Sequence, residues 1–502
     1  MFTPQRPTVA RLVAETGSPM AGVPEIVSSS GNPGPTPETS MAVVGGRIVT
    51  ESAVFDATIL IHDGKIAGLM DPASPVSAQN VLDASGLLIF PGGVDTHSHL
   101  NDPGLTESED FLTGTSGAAA GGYTTVLEMP QTIPLVDSVE TFTQKLEAVS
   151  PKAVVDFGLY CALVPANCAD AGALQGIAEA GAVALKAFVC DTPEMPTITE
   201  LQLAQGLSNA SRFGLPVAVH CESQAVIDFE RNRLQPEPSQ DVNAVAASHP
   251  LEAEQEAVRS ALAVARMSGG ALHLVHMSDP STVELATRAK LDLVDVSVET
   301  CPHYLTLTKD DLERAGGWGI CFPPLRTAAA VEGLWRALRL GFIDNVGSDH
   351  CAYTLAQKVT ADPWQVLPGI NGIQLALPVL VHGALQRGVP LTSVAKVFST
   401  SPARRFSLYP RKGVVVPGAD ADLVFVDVGS SITARATEFF TRCPGTVYEG
   451  MTFGARTRRT MVRGTTVYVD DGEPAIVAQP GIGLFLHGER ARAEVRRPFA
   501  QR

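Results

Sequence analysis

The 502-residue chain has no run of about 18 apolar residues, the length a membrane helix needs. Its N-terminus, MFTPQRPTVARLVAETGS, lacks the apolar core of a secretory signal. Both absences point to a cytoplasmic protein without a membrane partner. Positive charge is scarce: 37 Lys and Arg stand against 53 Asp and Glu, a formal net charge of −16, and no basic stripe precedes the extreme C-terminus. That balance argues against nucleic acid as a partner. Eight cysteines are scattered without a CxxC pair, which excludes a disulfide scaffold and points to reduced, mostly buried thiols. GxGxxG, GxSxG, HExxH and GK[ST] are all missing, so a dinucleotide fold, a nucleophile elbow, a helical zinc site and a phosphate loop find no support.

What is present divides the chain into five parts. Residues 1–40, rich in Pro, Ser, Thr and Gly, are expected to form a flexible N-terminal extension. Short apolar stretches over 41–91 predict strands and hairpins, with Asp63-Gly64 as one turn. From 92 to 410 the rhythm is strand, then helix. The candidate strands are LLIFPGGVDTHSH, YTTVLEM, VVDFGLY, AVALKAF, PVAVHC, ALHLVHM, LVDVSVETC and DNVGSDH. Between most of them lie segments such as SVETFTQKLEAVS and VEGLWRALRL, with apolar residues three and four apart. Such a series of βα units predicts an α/β fold, a (β/α)8 barrel of the TIM type, and exceeds the usual Rossmann sheet. Residues 411–475 are strand-like again. Neither flank can bury its apolar faces alone, so 41–91 and 411–475 are expected to combine in one composite β-sandwich domain. The tail 476–502, with its basic GERARAEVRRPFAQR, is either a solvated end or an oligomer clamp.

Polar residues fall where a barrel enzyme would use them, at the C-terminal ends of strands. The first strand ends in His97-Ser98-His99, the fourth in Lys186, the fifth in His220, the sixth in His276 and the eighth in Asp349-His350. His97 and His99 are two apart on an extended segment, so both imidazoles point to one side. A lone His-x-His is weak evidence. Four imidazoles around one barrel mouth, however, need a shared partner, and a metal centre is that partner. His273 and His276 should lie on opposite faces of their strand, which leaves His276, nearer the strand end, as the ligand. Lys186 follows a buried apolar run; it is either an ion-pair partner or carbamylated by carbon dioxide into a metal-bridging carboxylate. Asp349 is a ligand, a general base or a helix cap on spacing alone. Cys221 and Cys301 sit beside these residues as packing.

The stretches PGGVDTHSHLNDPG, ALKAFVCDT, LPVAVHCES, LHLVHMS, VETCPHYLTL, GSDHCAYT and PGADADLVFVD, in that order, resemble the cyclic amidohydrolases, the group of allantoinase, dihydropyrimidinase (hydantoinase) and dihydroorotase. The resemblance spans about residues 41–475. It implies two divalent metal ions, usually zinc, with His97, His99 and Asp349 on one and His220 and His276 on the other. Carbamylated Lys186 and a hydroxide would bridge them, and Asp349 would act as general base and acid. Asn101 stands where dihydroorotases carry Arg, which disfavours that subfamily. The segments around Lys186 and His220 are most similar to allantoinase, and SDHCAYTLAQK resembles dihydropyrimidinase. The Tyr that follows the lysine in dihydropyrimidinases has no counterpart, and Pro368 replaces their Asn. The resemblance thus implies ring-opening of a hydantoin-type ureide, allantoin first, with dihydropyrimidines or 5-substituted hydantoins as the alternative and a non-catalytic assembly protein as a further one. Asn101 and His303 are candidate substrate contacts, and a homo-oligomer, dimer or tetramer, is expected.

Overall fold

In the computed structural model, which describes residues 39–234 and 241–487, the apolar segments of the central region pair side by side in chain order. Seven strands, Gly93–His99, Tyr123–Glu128, Asp156–Ala162, Ala184–Phe188, Val217–His220, Leu272–Leu274 and Val296–Thr300, run parallel, each bonded to the next. Almost all their residues are buried, as expected of strands covered on both faces. The eighth strand is broken. Asn345–Val346 pairs with the seventh strand, whereas His350–Cys351 pairs with the first, so its two halves close the ring of a TIM-type barrel. Gly347 stands at the break because a Cβ there would fall 2.6 Å from Glu299 Oε2. Ser348 follows, and its N–H and hydroxyl donate to Asp95 at 2.8 and 2.6 Å. The break therefore aims the next residue, Asp349, at the first strand.

The expected helices form with the caps their sequences offer. Val139–Val149 starts at Ser138, whose hydroxyl accepts from Thr141 N–H, and Glu200–Ser211 starts at Thr199 in the same way with Gln202. Leu251–Ser268 stops at Gly269, φ 68°. Two further helices, Phe111–Ala120 and Ala171–Ala180, carry FLTGTSGAAA and AGALQGIAEA. Their small residues give no clear polar-apolar rhythm, and in the first of them eight of ten residues are buried.

Both flanks meet in one seven-stranded sheet. Its order is Pro474–Ile476, Thr465–Asp470, Arg456–Val462, Leu423–Asp427, Leu88–Pro91, Arg47–Val49, Val54–Asp56. Leu423–Asp427 from the C-terminal flank lies antiparallel to Leu88–Pro91 from the N-terminal one. A four-stranded sheet of Met41–Val44, Thr58–His62, Lys65–Met70 and Asn80–Asp83 faces it across Ile59, Ile61, Ile66, Ile89 and Phe425. On the other side Phe90, Val424 and Val426 pack with the barrel's Tyr123 and Ala119, so alternate residues of the shared strands serve two cores. The Asp63-Gly64 turn adopts φ 47° and 75°, the left-handed pair of a two-residue hairpin.

The sheets are tied to the barrel at the end opposite the strand termini that carry the histidines. Lys412, fully buried, bonds Asp156 at 2.5 Å, Asp422 at 2.8 Å and Asp420 at 2.9 Å, and Arg463 also pairs with Asp156. Residues 476–487 run on to this base rather than away from it: Leu484 N–H donates to Asp156, and Leu486 N–H to Phe157 O at 2.7 Å. Nearly all of the 1–40 extension and the basic segment 488–502 lie outside the described residues. All eight cysteines are free and buried, and among the described residues no helix is long and apolar enough to cross a membrane.

Candidate metal centre and active site

His97, His99, Lys186, His220, His276 and Asp349 all line one cleft of about 700 Å³ at the C-terminal ends of the strands. Period-two geometry on Gly93–His99 places the first two rings together, centroids 5.3 Å apart. Rings from other strands reach the same point: His97 and His276 are 5.4 Å apart, and His220 and His276 4.6 Å. Asp349 Oδ1 lies 3.3 Å from His97 Nε2 and 3.7 Å from His99 Nε2. Lys186 Nζ sits 4.8 Å above the Phe188 ring, which itself stacks on His220 at 5.0 Å.

Two glutamates aim these rings, and the sequence reading did not single out either. Glu299, near the end of the seventh strand, accepts from His97 Nδ1 at 2.9 Å, from His273 Nε2 at 3.3 Å and from His276 N–H at 3.3 Å. Glu222 lies between His220 Nε2 at 2.8 Å and His249 Nδ1 at 3.0 Å. Both carboxyls are fully buried. Burial pushes their pKa up, but the imidazoles around them outweigh it and hold both below the ordinary carboxylate range. Each carboxylate thereby takes one ring nitrogen and leaves the other, His97 Nε2 and His220 Nδ1, with its lone pair for a ligand. HCES and VETC carry the available signal: a Glu two residues beyond a site histidine, and a Glu at a strand end.

The strand-parity expectation for His273 and His276 needs correction. The strand ends at Leu274, and His276 has left-handed backbone, φ 44°, so alternation does not reach it. Both rings point into the barrel. His273 is spent on Ser297 Oγ at 2.8 Å and on Glu299, whereas His276 lines the cleft. Asp349, φ 45°, and Asn101, φ 61°, share this uncommon conformation. Such backbone costs of order 1–3 kcal/mol per residue and is kept only where surroundings impose it.

Electrostatics prepares the nitrogens as ligands. Burial, reinforced by the Lys186 charge, lowers the His97 pKa to about 4. Burial also drops His99 and His276 well below the usual histidine value and lowers His220. All four rings are therefore neutral near pH 7. Burial brings Lys186 down to about 8 and pushes the Asp349 carboxyl well above the ordinary aspartate value. The buried Lys186 Nζ and His276 Nδ1 have no hydrogen-bond partner among the described residues. Four neutral imidazoles and a carboxylate converging on one cleft are what a cation would complete, and the orphaned Lys186 amine suits that place once its positive charge is removed, so the donor set fits divalent metal. Cys301 and Cys190 lie near these groups, but burial pushes their thiols well above the usual range, which suits packing.

The two candidate substrate contacts fare differently. Asn101 lines the cleft, and its amide nitrogen donates to Ser108 Oγ at 3.1 Å and Ala352 O at 3.0 Å. His303 lies off the cleft wall, buried beside Asp349 and Cys301, with its Nε2 unpartnered and its pKa lowered to about 3 by burial. His350 turns away from the cleft to Glu109, at 3.0 Å.

Known proteins resemble the chain over most of its length. A model of the amidohydrolase family matches residues 88–467. The chain is 41% identical over 431 residues to an allantoinase of Deinococcus radiodurans, covering 84% of this chain and 94% of that protein. An L-hydantoinase of Paenarthrobacter aurescens is 32% identical over 446 residues, 88% of this chain and 96% of that protein. Among solved structures, the L-hydantoinase (dihydropyrimidinase) from Arthrobacter aurescens aligns with a TM-score of 0.85 at 31% identity, over 89% of this chain and 100% of that one.

Proposed function

The chain belongs to the amidohydrolase family, and from that premise we propose that it opens a hydantoin-type ring, converting allantoin to allantoate, at the mouth of its barrel. It is a cyclic amidohydrolase, an enzyme rather than an assembly protein, and it acts on a small molecule. The observation that carries the site assignment is Lys186, a fully buried amine set amid four imidazoles and a carboxylate, with no hydrogen-bond partner among the described residues.

The family is metal-dependent. In this reading His97, His99 and Asp349 would hold one divalent ion and His220 and His276 a second, zinc in both places, with Lys186 as a carbamate serving both. Bound there, the ions would supply Lewis acidity toward the ring carbonyl and would lower the pKa of a water toward ~7. Lys186 is prepared for its part: burial lowers its pKa from the ordinary lysine value to about 8, which raises the share of free amine near neutral pH. The ammonium first gives up one proton, and the free amine then adds to the carbon of carbon dioxide and releases a second proton to solvent, so the side chain passes from +1 to −1 beside the ligands.

Asp349 moves the proton of the reaction. Its carboxylate lines the cleft 3.3 Å from His97 Nε2, where it would take a proton from the attacking water. As the carbonyl–nitrogen bond breaks, Asp349 returns that proton to the ring nitrogen, which would otherwise leave as a poor anion. Asn101 would contact the ring through its carbonyl oxygen, since its amide nitrogen already donates twice within the protein. His303 would act behind Asp349. The homo-oligomer belongs to the same reading.

Allantoin stands first because allantoinases of Deinococcus radiodurans and Solibacter usitatus are 41% and 37% identical to this chain. The second reading, a hydantoinase acting on 5-substituted hydantoins or dihydropyrimidines, rests on the hydantoinase structures it resembles. Rates of the purified protein on allantoin, hydantoin, dihydrouracil, dihydroorotate and a cyclic imide separate them. Allantoin should be opened fastest; a clear preference for dihydrouracil would move the chain to the second reading and leave ring hydrolysis in place.

A further inference from the structure

The cleft extends beyond its cluster of ligands, and its outer wall is built from elements that hold none of them. Arg231 on helix Gln224–Leu234, His249 after helix Val242–Ala247, Phe322, and Trp364 in the short turn Pro363–Gln365 all line it. They form one continuous surface. The Arg231 guanidinium lies 5.8 Å from the Trp364 ring centre, Trp364 and Phe322 pack on the same small apolar cluster, and Phe322 stacks on His249 at 3.6 Å and 13°.

Two polar groups on that wall point to a ligand with both an acceptor and a donor. Arg231 is half-buried, and among the described residues its buried Nε–H has no partner and no other guanidinium lines the cleft. A donor in that state calls for an oxygen. His249 gives its Nδ1–H to Glu222, which also takes the His220 Nε2–H. With Nδ1 engaged by Glu222, Nε2 is the ring atom left to meet an N–H. Asp191, Glu194 and Asp228 stand exposed on the rim, with the Asp228 carboxylate accepting from Gln224 at 2.7 Å. Three carboxylates against one guanidinium disfavour an anion, so the complementary group is neutral, planar and both donor and acceptor.

We infer that the wall formed by Arg231, His249, Phe322 and Trp364 is a specificity subsite for the ring's substituent, and that it selects a ureido-type group over apolar or anionic ones. The ureido carbonyl accepts from Arg231, an N–H donates to His249 Nε2, and the flat group lies along Trp364 and Phe322. The inference rests on the hydantoin-type reading above and names what distinguishes one such ring from another.

The experiment compares kcat/KM for allantoin, which is a hydantoin bearing a ureido group, with that for unsubstituted hydantoin and for a 5-isopropyl hydantoin. Wild-type protein should favour the ureido ring. In Arg231→Met and Arg231→Gln the ratio of allantoin to hydantoin should fall by about ten-fold, chiefly through KM, the scale of one hydrogen bond to a charged donor. His249→Phe, which preserves stacking on Phe322, should shift the ratio the same way, with metal content measured to show that Glu222 still holds His220. An unchanged ratio in both folded Arg231 variants overturns the inference, as does wild-type protein that opens hydantoin or the isopropyl ring as fast as allantoin; ring hydrolysis then stands. Protein that opens none of these rings overturns the functional reading itself.

Discussion

Glu299 and His97 are 202 positions apart in the chain, yet Glu299 Oε1 lies 2.9 Å from His97 Nδ1, both fully enclosed. The same carboxylate takes His273 and the backbone N–H of His276, so one acidic group fixes a ring of the first strand and the strained turn beyond the sixth. Its effect on chemistry is indirect, through the direction and basicity of His97.

Glu299→Gln therefore tests positioning without removing a ligand. The amide keeps one acceptor oxygen where the carboxylate offered two, so His97 and His273 can no longer both be held as before, and metal affinity should fall about 10- to 100-fold. Competition with a graded series of chelators reads this directly. Affinity equal to wild type, in a variant with unchanged melting temperature, would show that His97 is aimed by something else.

Asp349→Asn removes the proton carrier and keeps the side chain's shape. Turnover should drop by several orders of magnitude while circular dichroism stays that of the folded barrel. Because Asp349 is also a proposed ligand, rates must be compared at matched metal occupancy. Near-normal turnover under those conditions would assign the proton to another group, with His303 the first to examine.

For Lys186 the sign of the pH effect follows from its lowered pKa. The amine must be deprotonated to meet carbon dioxide, and with a pKa of about 8 its reactive fraction rises from pH 6.5 to 8.5 and levels off above. Metal-stripped protein given zinc and bicarbonate should accordingly regain activity faster at pH 8.5 than at 6.5. Labelled bicarbonate should give a carbon-13 carbamate signal in wild type and none in Lys186→Ala, whose weak metal binding acetate or propionate should partly restore. An unmodified Lys186 in active, metal-replete protein would refute the carbamate.

The sequence by itself determined the parts whose geometry is local. Period-two spacing placed His97 and His99 on one side of a strand, turn chemistry placed Asp63-Gly64 in a hairpin, and three- and four-residue apolar spacing marked the helix Val139–Val149. These outcomes depend on backbone dihedrals within a few residues, so neighbours in the chain suffice to decide them. Only the tertiary structure decided the rest. The strand carrying His273 stops two residues short of His276, the eighth strand breaks at Gly347 to face the first, and Glu299 and Glu222 take up the ring nitrogens that would otherwise be ambiguous. Arg231 and Trp364 meet 133 positions apart on the wall of one cleft. Such contacts are set by how the barrel closes and where its loops return, and no spacing along the chain encodes a distance between residues on different strands.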